Sequence, residues 1–356
     1  MNSLKVDIEK QYDSFSLDAH FETTFERLGI IGPSGSGKST LADLIAGHQF
    51  PDNGSILFND RTFVDPDTNR VIPRHERNVG YLLQDAPLLP HLSIRENLRY
   101  PPRTELDTKP AGPIVDILGI TDLLDQNPRE ISGGERRRAA LAQVLLSQPE
   151  LLILDEPVVG LNEAMKRSIV PRLRKVLDTV QQPLIVISHE PEIVRALCNK
   201  GLTIRGGITS EILPIQQIFE NQDTRTRAGL ADSNVFKARV TGEGNNGAVV
   251  ETETGLEFFI SPPAPLESNQ TVVLSFPSSE PVLAKNVTGQ LSTRNRWSGE
   301  IQSIEDVPDG KRVSVHVEDQ TFRSRVTQKT VTNMDLTQGE SITLLLKSQA
   351  IDILPT

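Results

Sequence analysis

Cysteine is nearly absent from these 356 residues: Cys198 stands alone. A single thiol closes no intramolecular disulfide and anchors no cysteine-rich metal cluster. Equally absent is any run of the roughly 18–20 uncharged apolar residues that a membrane-spanning helix needs. The N-terminus, Met1-Asn2-Ser3-Leu4-Lys5, runs straight into Asp7 and Glu9 without the apolar core of a signal peptide. The chain is therefore expected in the cytoplasm, where it can still dock onto a membrane protein. Positive charge is in deficit: 37 Lys and Arg face 47 Asp and Glu, a formal net of −10. A surface that tracks nucleic-acid phosphates needs the opposite sign. Residues 1–228 hold 26 basic and 31 acidic residues and residues 229–356 hold 11 and 16, so neither part hides a basic module. No nucleic-acid partner is expected.

What is present is an ordinary soluble composition, 37% hydrophobic and 24% charged, over a length that calls for more than one core at roughly 100–200 residues each. Up to residue 228, short apolar runs alternate with helix-like segments. Leu28-Gly29-Ile30-Ile31, Leu151-Leu152-Ile153-Leu154 and Leu184-Ile185-Val186-Ile187 read as buried strands. Leu41 to Ala46 begins a helix, Glu163 to Val180 reads as an amphipathic helix, and 101–113 is a proline-rich connection into a helical region at about 114–148. This is the pattern of a sheet covered by helices. Beyond about residue 230 the rhythm becomes short β-branched runs separated by Gly, Asn and Pro, a small all-β domain. Inside it, 234–240 resembles 295–301 and 272–282 resembles 342–351, which predicts two halves, about 232–288 and 290–355.

Gly32-Pro33-Ser34-Gly35-Ser36-Gly37-Lys38-Ser39 fits G-x-x-x-x-G-K-[ST] between a predicted strand and a predicted helix. Its glycines let backbone N–H groups curl around phosphate oxygens, and the following helix aims its free N–H groups at the same charge. Lys38 reaches phosphate and Ser39 can ligate magnesium. Leu151 to Leu154 then places Asp155 at a strand end, fit to hold magnesium, with Glu156 positioned as general base for an attacking water.

Between these two segments lies Ile131-Ser132-Gly133-Gly134-Glu135-Arg136-Arg137-Arg138, which resembles the signature of ATP-binding cassette proteins. The order of phosphate loop, glutamine loop, signature, Asp-Glu and histidine is that family's order, over residues 1–228. The resemblance implies an α/β P-loop NTPase with a helical subdomain at about 88–148, followed by an all-β, OB-like C-terminal domain at 229–356. It implies ATP and Mg2+ as ligands. Gln84 matches the glutamine that senses magnesium and the partner permease, and Ser132, Gly133 and Gly134 match the residues that cap ATP on the opposite subunit of a homodimer. His189 matches the switch histidine at the γ-phosphate. Tyr12 is the expected adenine-stacking aromatic, with Phe15 as the fallback, and the ATP-contacting stretch extends to Thr40. Arg136, Arg137 and Arg138 read as solvated charges facing a partner subunit.

Departures are visible. Val159-Gly160-Leu161-Asn162 stands where the family usually has Ser-Ala-Leu-Asp, and Gln143 stands where an arginine is common. In the tail, Leu291-Ser292-Thr293-Arg294-Asn295 and Leu346-Lys347-Ser348 resemble the molybdate-binding module of molybdate-import ATPases. The resemblance implies an ATPase of a molybdate importer, on the cytoplasmic side of the cell membrane, with two permease subunits and an extracytoplasmic binding protein. Ser292, Arg294, Lys347 and Ser348 supply donors suited to a tetrahedral oxyanion. The first half has Phe276-Pro277-Ser278 in place of the lysine-containing end. Two alternatives stand beside this expectation: import of tungstate, sulfate, iron or a sugar, and a cytoplasmic oxyanion-binding regulator with residual ATPase activity.

Overall fold

The computed structural model describes residues 2–65, 70–83, 88–100, 111–180, 182–220, 232–244, 247–262, 265–287, 291–307 and 310–355. Gln84 and most of the proline-rich connection lie outside the described residues. The chain divides into two units, Met1–Gly229 and Leu230–Thr356.

The first unit begins with a hairpin of β1 (Asn2–Gln11) and β2 (Ser16–Phe25). Its apolar residues alternate, so that Leu4, Val6 and Ile8 pack inward with Leu17, Ala19 and Phe21. Next come β3 (Arg27–Ile31), the glycine-rich loop, α1 (Lys38–Ala46), β4 (Asn53–Phe58), β5 (Arg61–Asp65) and β6 (Arg70–Val71). A helical stretch follows: α2 (Arg74–Arg77), then β7 (Val79–Leu82), α3 (Ile94–Leu98), α4 (Ala111–Ile117) and α5 (Gly133–Leu146). The unit closes with β8 (Leu151–Asp155), α6 (Glu163–Val180), β9 (Leu184–Ser188), α7 (Pro191–Leu197), β10 (Lys200–Arg205), β11 (Ile208–Thr209), β12 (Leu213–Pro214) and α8 (Ile215–Glu220). Among the described residues no helix is long and apolar enough to cross a membrane.

Five strands run parallel in the order β10-β3-β9-β8-β7. Every residue of β8 and β9 is buried, as expected for continuous apolar runs in a sheet covered on both faces. The register sets Ile31 beside Ser188 and Asp155 beside Ile187. Three neighbouring strands thus end level, which is where parallel sheets place their ligand sites. Arg77 secures the far end of α1: fully buried, it donates to the carbonyls of Leu44 (2.7 Å), Ile45 (2.9 Å) and Ile72 (2.9 Å). Burial pulls its pKa down to about 10.

The second unit holds two five-strand sets. The first is β13 (Ser233–Gly244), β14 (Gly247–Thr252), β15 (Glu257–Ile260), β16 (Thr271–Pro277) and β17 (Val282–Ala284). The second is β18 (Asn295–Val307), β19 (Gly310–Val317), β20 (Gln320–Val326), β21 (Ser341–Leu346) and β22 (Asp352–Pro355), with α9 (Gln328–Asn333) before β21. The sheets are ordered β15-β14-β13-β16-β22 and β17-β21-β18-β19-β20. Each set therefore hands its fifth strand to the other. Both long first strands carry a bulge at the same place, between Val240 and Gly242 and between Ile301 and Ser303. A second reciprocity is side-chain based. Asn234 donates to the Arg323 carbonyl (3.0 Å) and accepts from its N–H (2.8 Å), while Asn295 does the same for Phe259 (2.8 and 2.7 Å). Phe236, Phe258, Phe276, Phe322 and Trp297 fill the shared core.

Candidate active site

The loop after β3 turns tightly because two of its glycines have no room for a side chain. A Cβ on Gly32 would lie 2.1 Å from the Ile204 carbonyl oxygen, and Gly37 sits at φ 104 with the Phe15 ring 2.7 Å from where its Cβ would be. Helix α1 starts at Lys38, one turn before the first apolar residue of its periodic face. Lys38 is buried and lies across its own loop, its Nζ donating to the carbonyls of Gly32 and Pro33, both at 2.8 Å. Burial lowers the Lys38 pKa, while the charges of Glu156 and Asp155 pull it back up. Ser36 is buried, and its hydroxyl has no partner among the described residues.

Asp155 closes β8 under this loop, with Tyr81 donating to its Oδ2 at 3.3 Å. Its Oδ1 is buried without a partner among the described residues. Burial pushes the Asp155 carboxyl above its ordinary range; the nearby Ser39 hydroxyl opposes that, and the Glu156 charge adds to it. Glu156 then occupies the left-handed region at φ 50, a conformation that non-glycine residues hold only when their surroundings enforce it. Its N–H donates to the Ile187 carbonyl (2.8 Å). Its Oε2 accepts from the Ser188 hydroxyl (3.0 Å), and its Oε1 from the His189 N–H (3.0 Å) with the His189 Nδ1 at 2.7 Å. Lys38, Ser39, Asp155, Glu156 and His189 are thereby gathered at three adjacent strand ends.

The signature segment lies elsewhere on the surface. Ser132 caps α5 in a capping box: its Oγ accepts from the Glu135 N–H, and Glu135 Oε2 accepts from the Ser132 N–H (2.8 Å) and hydroxyl (2.7 Å). Those bonds hold the Glu135 carboxyl below the usual range. Ser132 and Gly133 are exposed, while Gly134 packs against Met165.

The three arginines that follow require a correction. Arg137 is buried, not solvated: its Nε donates to the Pro157 carbonyl (3.0 Å), and its Nη2 to those of Asp155 (2.9 Å) and Glu156. The reason is helical phase: Arg137 shares its stripe with buried Ala140 and Leu141, three and four residues on. Arg136 and Arg138 are half-buried and donate to the carbonyls of Pro128, Leu118 and Gly119. Both sequence departures also have local work. The Gln143 amide donates to the Asn97 and Tyr100 carbonyls (2.9 and 3.0 Å) where α3 ends, and Asn162 Oδ1 accepts from the Met165 N–H (2.9 Å) as a cap for α6.

Comparison with known proteins bears on this arrangement directly. The ABC transporter profile matches residues 19–159, and the TOBE domain profile matches residues 291–353. The "Molybdenum import ATP-binding protein ModC" of Rhizobium johnstonii is 31% identical over 98% of this chain and 99% of its own length. The chain belongs to the ATP-binding cassette (ABC) transporter family, as one of its ATPases. A protein of the same name from Haemophilus influenzae is 27% identical over 98% of this chain and 99% of its own length. Among solved structures, the dimeric post-hydrolysis state of the ATP-binding cassette MJ0796 bound to ADP and Pi aligns with TM-score 0.50 and 22% identity. It covers 60% of this chain and 99% of that one, and it shares the fold.

In this ABC ATPase the two aromatics near the phosphate loop are differently placed. Phe15 packs on the core beside Gly37, whereas the Tyr12 hydroxyl donates to Gln49 Oε1 at 2.5 Å. If Tyr12 is the adenine-stacking aromatic, Tyr12→Ala should weaken ATP binding by about 1–3 kcal/mol, the usual worth of an aromatic against a base, and Phe15→Ala should lower the melting temperature instead. Fluorescent-nucleotide titration of both variants separates them, and the reverse pattern transfers the stacking role to Phe15.

Of the four tail residues expected to face an oxyanion, two lie against the end of one strand. The Arg294 guanidinium lies 4.1 Å from the centre of the Phe259 ring, and the Ser348 Oγ is 3.0 Å from the Ser261 Oγ. Both reach, from the second strand set, the end of β15 in the first. Ser292 and Lys347 are exposed. At the equivalent place in β20, Arg323 replaces the aromatic and Ser278 stands in for Ser348, with its hydroxyl buried.

Proposed function

We propose that this ABC ATPase powers a molybdate importer, acting as a homodimer that sandwiches two ATP molecules and docks on two permease subunits fed by an extracytoplasmic binding protein. The observation that carries the catalytic part is the meeting of Lys38, Asp155, Glu156 and His189 at the ends of β3, β8 and β9. Lys38 binds and neutralises phosphate oxygens once its Nζ leaves the Gly32 and Pro33 carbonyls. Glu156 accepts the proton of the attacking water at its carboxylate, which Ser188 and His189 already orient. His189 Nδ1 faces that carboxylate, and the ring steadies charge developing near the γ-phosphate. Gly32 to Thr40 line the phosphates, Tyr12 stacks on adenine, and Ser132, Gly133 and Gly134 complete the site of the partner subunit.

The donor set fits a magnesium ion: the Asp155 Oδ1 is buried without a partner among the described residues, and the Ser39 hydroxyl sits beside that carboxylate. A hard, strongly hydrated cation held by one or two protein oxygens plus substrate phosphates needs no larger protein cage. Ser39 and Asp155 would hold it, with Gln84 as a further ligand, and it would supply charge neutralisation at the phosphates.

Molybdate as cargo is favoured by the names of the relatives that match nearly the whole chain, and by Arg294 and Ser348 each lying against the end of β15, on Phe259 and Ser261. The whole chain, free of nucleotide, should bind molybdate and tungstate in calorimetry and discriminate against sulfate. Arg294→Ala and Lys347→Ala should each weaken that binding. No heat with any of the three anions removes the tail as an oxyanion site and leaves cargo identity to transport assays.

A further inference from the structure

The carbonyls of Asp155, Glu156 and Pro157 are consecutive, yet all three converge on one guanidinium, that of Arg137. In an extended chain successive carbonyls point to opposite sides. They converge here because the backbone reverses through Glu156, which stands at φ 50. That residue carries the carboxylate aimed at Ser188 and His189, and its Cβ direction is set by the same reversal. Arg137 is therefore bonded to the geometry that aims the carboxylate, and it reaches that loop from α5, the helix whose first turn carries Ser132 and Gly133.

We propose that Arg137 is a positioning residue for ATP hydrolysis: it holds the Asp155–Pro157 turn in its left-handed form and so fixes the Glu156 carboxylate, tying that alignment to the seat of α5. A planar fork with several donors suits this task, since one cation must satisfy three carbonyls in a fixed arrangement. Lysine, with a compact charge at the end of a flexible stem, holds such an array less rigidly. Because the same helix presents the signature outward, a shift of α5 on closure of a dimer moves the support of Glu156 in the same chain. The inference rests on the reading of Glu156 as general base.

The test is steady-state ATPase kinetics on the full chain for Arg137→Met, Arg137→Lys and Arg137→Gln, with Glu156→Gln as the reference. Melting temperatures and nucleotide affinities are measured alongside. A carboxylate displaced on the scale of an ångström costs up to about a hundredfold, so Arg137→Met should lose at least about tenfold in kcat. Nucleotide affinity should stay within about threefold of the parent, since no phosphate contact is removed. Arg137→Gln, which keeps amide donors, should recover part of the rate, and Arg137→Lys should lie between the two. A kcat equal to the parent's in folded Arg137→Met overturns the proposal. So does a loss that follows the unfolded fraction, or one shared equally by nucleotide affinity, because either marks a purely structural brace. If Arg137→Met fails to fold, the lysine and glutamine variants carry the same comparison, and equal rates for both and the parent overturn it. A Glu156→Gln enzyme that turns over normally overturns the base assignment as well. Inactive Glu156→Gln beside active Arg137→Met overturns the role of Arg137 alone.

Discussion

Glu156→Gln is expected to bind ATP and lose turnover by about 10²–10⁴-fold, the usual worth of a positioned general base. The amide keeps the shape of the carboxylate, and its oxygen still accepts from the His189 N–H, now at 3.0 Å. The Ser188 hydroxyl, which donates at 3.0 Å, can rotate to accept from the new NH2. What disappears is the basic oxygen pair and one buried negative charge beside Asp155. Stability should therefore hold or rise while chemistry stops. The decisive measurement is a single-turnover assay paired with nucleotide retention on a filter. Retention without hydrolysis supports the base, and hydrolysis at the parent rate sinks it.

The largest stability effect should come from the amide pair of the second unit. Asn234 and Asn295 are buried, and each satisfies both backbone groups of one residue in the opposite strand set. Asn234→Ala strands the N–H and carbonyl of Arg323; Asn295→Ala strands those of Phe259. Each orphaned buried group costs about 1–3 kcal/mol, so each substitution should cost about 2–6 kcal/mol, far beyond a typical surface change. Aspartate is no rescue, because it accepts but cannot donate to the carbonyl and brings a buried charge. Urea unfolding followed through Trp297, which lies in this unit, reads the effect. A loss below about 1 kcal/mol for both variants means that water already serves those backbone groups.

Much of the first unit was legible because its signals are local. β3, β8 and β9 are continuous apolar runs, and α6 spans Glu163–Val180 as its amphipathic period predicts. α1 begins earlier than its apolar pattern, since its first turn carries the polar Lys38, Ser39 and Thr40, and periodicity is blind to polar turns that face a ligand loop. The convergence of Lys38, Asp155, Glu156 and His189 follows from strand order, which the alternation of elements foreshadows but does not state. Arg137 reads from the sequence as solvated for a different reason. Charge normally marks solvent, and only helical phase against Ala140 and Leu141 betrays a buried arginine. Ser188 and Tyr81, which flank the two carboxylates, are ordinary strand residues whose polar contacts appear only once register is known.

The handed-over strands bear on synthesis. β16 finds its outer neighbour in β22, and β22 leaves the ribosome only after the other four strands of the second set. β17, made early, waits for β21. Vectorial folding is thus blocked in the tail: neither sheet can be closed by what precedes it, and both long-range closures wait for β21 and β22. Among the described residues no strand of the first unit pairs with one of the tail, so its nucleotide site can assemble while the tail is still threading. A half-tail made alone would leave β16 an unpaired edge and β17 without a neighbour, and the natural relief for such a fragment is a second identical fragment. The fused pair in this chain is what two such fragments would become once joined.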